Sequence, residues 1–168
     1  MRSLLEQYAP HVYRFALRLS RDPHAAEELA QETFVRAWRG RRRLREPRAA
    51  RVWLFQIAAN LWRDRARREG RRRRQLVPLA DDHAAATIAP ERQIDDREDL
   101  QRALEAMESL PSRQREVLYL HACEDLALAE IGRVLSISTE AAKASLSLAR
   151  KKLRRQLRDI CRDRFPTA

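Results

Sequence analysis

The side chains that could do chemistry in this sequence are guanidiniums and amides rather than nucleophiles. Residues 63–74 place eight Arg in twelve positions, running out of a helix-patterned segment that carries Asn60. Such density favours contact with phosphates, which gives affinity without choice of sequence. Asn60 is a poor helix former whose amide needs hydrogen-bond partners, supplied by a neighbouring backbone group or by water. A second cationic element ends the stretch STEAAKASLSLARKKLRR, residues 138–155. Ser138 is a good N-cap and the end is rich in Lys and Arg, yet the front half is mostly Ala and Ser. Enzyme chemistry finds no foothold: there is no Gly-rich phosphate loop, no nucleophile–base pair and no metal cluster. Cys123 and Cys161 form no metal pattern, and His11, His24, His83 and His121 are scattered, none at the i, i+4 spacing of a helical zinc site. The expectation is a protein that is not an enzyme and takes no cofactor, with two thiols buried or idle.

Charge organises the chain. The net is +11 over 168 residues. Residues 1–75 hold 20 Lys/Arg against 8 Asp/Glu, residues 76–111 hold 3 against 9, and residues 112–168 hold 12 against 7. The nets are therefore +12, −6 and +5, a pattern of two polyanion-facing modules joined by an acidic connector. A single helical protein with an arginine-rich surface accounts for the composition equally well. No apolar stretch approaches the roughly 20 residues that span a bilayer, and MRSLLEQYAPHVYRF meets charge and Tyr too early for a signal peptide. No direct membrane insertion is expected, and a cytoplasmic location is.

The elements that must position these side chains are helical throughout. Only three Gly occur, at 40, 70 and 132, and helical spacing recurs along the chain. In 24–39, Ala26, Ala30, Phe34 and Trp38 form an apolar stripe with Leu29 and Ala37, leaving Glu27, Glu28, Gln31, Glu32, Val35 and Arg36 outside. In 51–68, Leu54, Phe55, Ala58, Leu61 and Trp62 form a second stripe, with Trp53, Ile57, Asn60 and Asp64 on a neighbouring face. These pack on each other and on Val12, Phe15, Ala16 and Leu19, giving a small module that ends near Gly70. Between them, residues 40–51 read as a cationic loop. Residues 76–92 read as an acidic, Pro- and Ala-containing linker. A helical pattern then runs to Pro111, and another helix starts with Ser112 as its N-cap. Two helices close the chain, 126–135 and 139–162, a helix-turn-helix arrangement in which Gly132 permits close approach. In the last, Ala142, Leu146, Ala149, Leu153 and Leu157 are the expected buried stripe. The fold class is all-α: two small helical domains joined by a linker.

Four segments in order resemble one family. AAEELAQETFVRAW (25–38), VWLFQIAANLWRDRARR (52–68), LPSRQREVLYL (110–120) and LALAEIGRVLSISTEAAKASLSLARKKL (126–153) are similar to the extracytoplasmic-function sigma factors of bacterial RNA polymerase, which keep only sigma regions two and four. The resemblance implies a dissociable polymerase subunit that directs promoter recognition and helps melt DNA, with region two at 1–75, a linker at 76–92 and region four at 93–168. An autonomous helix-turn-helix regulator is the alternative. The implied partners are core RNA polymerase, promoter DNA and an anti-sigma factor that holds the protein inactive, at the inner membrane where that partner is membrane-linked. By the same resemblance, Glu28, Gln31, Glu32, Val35 and Arg36 meet the clamp coiled coil of the polymerase. Asn60 and the 40–51 loop capture a base flipped from the −10 element, Arg45, Arg48 and Arg51 hold adjacent phosphates, and Trp53 stacks or packs, with packing favoured. Arg63 and Arg67 add phosphate contacts. The −35 element falls to Glu140, Lys143, Ala144, Ser147, Arg150 and Lys151.

The recognition helix departs from the family pattern. Ser136 stands at a turn position that is usually Gly, the sequence Glu140-Ala141-Ala142-Lys143-Ala144-Ser145 replaces Gly-Thr-Val-Lys-Ser-Arg, and Leu148 stands where Arg is common. Either small side chains let the helix enter the major groove deeply, touching thymine methyls or backbone, or region two supplies most of the grip. The charge map favours the second.

Overall fold

The computed structural model describes residues 2–44, 46, 49–76 and 105–164, and every regular element in them is helical. The chain divides into two compact units. The first is built on α1 (Arg2–Ser20), α2 (Pro23–Gly40), a 3₁₀ turn (Arg41–Arg43) and α3 (Ala50–Leu76). The break between α1 and α2 is made by Arg21, in the left-handed region at φ 59°. Asp22 then caps α2, its Oδ1 accepting from the Ala25 N–H at 2.7 Å, and Pro23 takes the first helical position where its missing N–H costs nothing. Val12, Phe15, Ala16, Ala26, Leu29, Leu54, Phe55, Ala58 and Leu61 are buried, as the spacing predicts. Phe15 and Phe55 meet edge to face at 5.1 Å between centroids.

Trp38 is a correction: instead of joining the buried stripe, it is 54% exposed. Strict i+4 steps advance about 40° around a helix of 3.6 residues per turn, so a stripe begun at Ala26 has rotated off the core by Trp38. Thr33 takes the buried place and satisfies its hydroxyl by donating to the Leu29 carbonyl at 2.7 Å. The boundary at Gly70 also moves, since α3 continues through it to Leu76. One helical Gly costs about 1 kcal/mol against Ala, and the four Arg that follow are good helix formers.

The second unit holds α4 (Ser112–Ala122), most of α5 (Leu128–Leu135) and α6 (Thr139–Arg164), preceded by helical residues at 105–108. Its buried side chains include Leu110, Val117, Leu120, Leu126, Ile131, Ala142, Leu146 and Ala149. Ser112 is not the cap of α4; Pro111 is, because the Pro111 carbonyl already accepts the first helical bond, from Arg115 N–H at 3.1 Å. Arg115 is itself buried, donating to the carbonyls of Glu108 and Leu110 and to the Glu108 carboxylate, and so ties the preceding segment to α4. Tyr119 donates to buried Glu124 at 3.0 Å. At α5 the Glu130 carboxylate reaches back to the Ala127 N–H at 2.9 Å, half of a capping box. Leu157, expected in the buried stripe, is 39% exposed, two turns beyond Ala149, the last buried residue described on α6, where the helix has outrun the core of the unit. Cys123, expected to be buried or idle, is exposed. The expected linker, 76–92, lies outside the described residues apart from Leu76.

Candidate nucleic-acid and polymerase interfaces

In the first unit α2 presents one charged face. Glu28, Gln31, Val35 and Arg36 are exposed and Glu32 half-exposed, at the i, i+3, i+4, i+7 and i+8 positions of a single helix side. Arg36 Nε bonds Glu32 Oε1 at 3.0 Å. Glu28 is reached by Arg65 of α3 at 3.0 Å and by His24 at 3.4 Å, and Arg65 also holds Glu69 at 3.3 Å. Those carboxylates raise the Arg65 pKa further, the Glu28 hydrogen bond first among the causes. The face thus runs from α2 onto α3, a link that spacing within one helix could not reveal. At the end of α2 the Arg41 guanidinium lies 4.5 Å from the centroid of the exposed Trp38 ring and donates to the Trp38 carbonyl at 3.0 Å.

On α3, Asn60 is exposed and its Oδ1 accepts from Arg63 Nη2 at 2.7 Å, while Arg63 Nε donates to the Ala59 carbonyl at 3.2 Å. The amide is therefore exposed and oriented by its neighbour Arg63. Trp53 is half-buried and its ring packs beside Gly40, where an added Cβ would touch it at 3.4 Å. Arg51 is half-buried at the start of the helix. Arg67 is exposed and hydrogen-bonded to Asp64. That bond, ahead of the charges of Arg67, Arg68 and Arg36, lowers the Asp64 pKa against a partial desolvation that works the other way. Arg45 and Arg48 lie outside the described residues.

The three-residue turn 136–138 joins α5 to α6. Ser136 adopts φ 54°, and the Ile137 N–H donates to the Gly132 carbonyl at 2.9 Å. A Cβ on residue 132 would fall 2.8 Å from the Ile137 carbonyl oxygen, so it is the turn closing over Gly132 that requires the glycine. Ser138 caps α6, its Oγ accepting from Ala141 N–H at 3.1 Å. Glu140, Lys143, Ala144, Ser147, Arg150 and Lys151 are all exposed on this helix. Lys143, Ser147, Arg150 and Lys151 line an open groove of about 590 Å³ shared with His121 of α4 and Arg154. His121 is a groove residue that sequence reasoning missed; its ring Nδ1 lies 3.2 Å from the Leu126 carbonyl.

Comparison with known proteins decides the family. A family model for Sigma-70 region 2 matches residues 4–72 and one for Sigma-70, region 4 matches residues 100–153. The ECF RNA polymerase sigma factor SigM of Bacillus subtilis is 31% identical over 156 residues, covering 90% of this chain and 91% of that protein. The chain belongs to the extracytoplasmic-function sigma factors. Within that family, SigE of Mycolicibacterium smegmatis is 37% identical over 155 residues, 90% of this chain, and the chain spans 59% of its length. In fold, this sigma factor resembles RpoE of Bartonella quintana, solved in complex with the anti-sigma factor NepR, with TM-score 0.78 and 24% identity over 94% of this chain and 96% of that one. Among the described residues no helix is long and apolar enough to cross a membrane.

Proposed function

We propose that this protein is a dissociable sigma subunit that brings core RNA polymerase to promoters and stabilises the opened strand, with no catalysis of its own. The observation that carries the reading is the order of parts: a region-two match and a region-four match in one chain, each ending in an exposed cationic helix. Region two occupies 1–75, the linker 76–92 and region four 93–168. The α2 face of Glu28, Gln31, Glu32, Val35 and Arg36 docks on core polymerase. Asn60, with Arg45, Arg48, Arg51, Trp53, Arg63 and Arg67, takes the −10 element, where an unstacked base offers edges to an amide and phosphates meet guanidiniums. Glu140, Lys143, Ala144, Ser147, Arg150 and Lys151 face the −35 element in the major groove. An anti-sigma factor covers the polymerase-binding face and keeps the protein idle in the cytoplasm or at the inner membrane.

Run-off transcription from a genomic promoter library, with core polymerase and with or without the protein, tests this. Discrete new starts sharing −35 and −10 elements are the expected result. No new starts, alongside tight DNA binding by the protein alone, would replace the proposal with an autonomous helix-turn-helix regulator.

A further inference from the structure

Leu148 is a large apolar side chain on the outward side of α6. It is 54% exposed, and its outward neighbours from Thr139 to Arg155 are small or charged. With Ala144, Lys151 and Arg155 it forms a stripe at i, i+4, i+7 and i+11, one continuous side of the helix. The stripe is apolar at its N-terminal half and cationic at its C-terminal half. Beside it lies a groove of about 330 Å³ lined by Gln114, Leu148, Lys151, Lys152 and Arg155. Three of these five residues are cationic and none is acidic, so the rim suits a polyanion rather than a basic or neutral protein surface. Lys152 is committed to the protein, its Nζ donating to the Ser109 carbonyl at 2.6 Å, whereas Lys151 and Arg155 stand exposed.

A duplex entering this face would meet the cations with its phosphates and the isobutyl group with its major-groove floor. The apolar feature on that floor is the thymine C5-methyl group. Resting on the sigma reading above, we propose that Leu148 is a specificity-determining residue that reads a thymine methyl of the −35 element, while Lys151 and Arg155 hold the flanking phosphates. This explains how a recognition helix so poor in long polar side chains can still choose a sequence. An apolar contact discriminates by the presence of a methyl group, and the cations set the register without reading bases.

The test uses the full-length protein with core polymerase on a promoter recovered from the run-off library, with thymines of its −35 element replaced one at a time by deoxyuridine. Removing the methyl that Leu148 touches should weaken binding about fourfold, the factor corresponding to about 0.8 kcal/mol for a buried methyl-sized group. Leu148→Ser, a change at an exposed position, should keep core polymerase binding and lose that sensitivity. The proposal is overturned if deoxyuridine has no effect at any position, if Leu148→Ser retains the wild-type sensitivity, or if the −35 element contains no thymine. It is also overturned if Leu148→Ser instead loses affinity for core polymerase, which would make the groove a protein-docking surface. Failure of the run-off library to yield any promoter would overturn the sigma reading and this inference together.

Discussion

Ser136 and Gly132 sit four residues apart and solve opposite steric problems. Ser136 holds φ 54° with a Cβ that crowds its own backbone, a conformation that costs an L-residue roughly 1–2 kcal/mol. Replacing it with Gly removes that strain but adds freedom to the unfolded chain. Ser136→Gly is therefore expected to stabilise the protein by about 1 kcal/mol in chemical denaturation. Gly132→Ala should do the reverse. Its Cβ would stand 2.8 Å from the Ile137 carbonyl oxygen, which is backbone and can yield only by opening the turn. A loss of about 2 kcal/mol is expected, in the range of overpacked sites. An unchanged denaturation midpoint would mean that the turn relaxes freely and the glycine is dispensable.

At the scale of elements, α3 couples its charges along its own surface as well as to α2. Arg67 is bonded to Asp64, so a phosphate must compete with that carboxylate for the guanidinium. The Asp64 pKa is depressed in the folded protein. The stabilisation from this pairing is thus fully present above the ordinary carboxylate pKa and is lost as pH falls through the lower, folded value. Carboxyl titration by NMR should show Asp64 returning to the ordinary range in Arg67→Ala, because the largest cause of its shift has gone. Asp64→Asn should free Arg67 and strengthen binding to the opened −10 strand. Weaker binding by that variant would show that Asp64 orients Arg67 rather than competing for it. These links also mark what the sequence could carry. Periodicity found the helices and most of the core, since 3.6-residue spacing is a local property. It misplaced Trp38 because strict i+4 steps drift around the helix, and Leu157 because the apolar spacing runs on past Ala149, the last buried residue described on α6. The Glu28–Arg65 and Arg115–Glu108 contacts join different helices or cross a turn, and no spacing within one helix encodes them. His121 escaped for a similar reason: it reaches the α6 groove from α4.

For the whole molecule, the division of charge becomes a prediction about salt. The first 75 residues carry a net of +12 and the last 57 a net of +5. Each phosphate neutralised on an opened strand adds about 0.7 to the slope of log affinity against log salt, and each on duplex DNA about 0.9. If region two supplies most of the grip, Arg51→Gln combined with Arg67→Gln should lower the slope for −10 strand binding by about 1.4, with the start site unchanged. Lys143→Gln combined with Lys151→Gln should lower affinity less, although each duplex contact counts for more in the slope. These measurements separate positioning from reading, because a phosphate contact changes affinity on all sequences alike. A larger loss from the Lys pair would mean that net charge per unit is a poor guide to where DNA is held. The small-residue front of α6 would then be a close-contact surface backed by strong phosphate clamps, rather than a light touch on the −35 element.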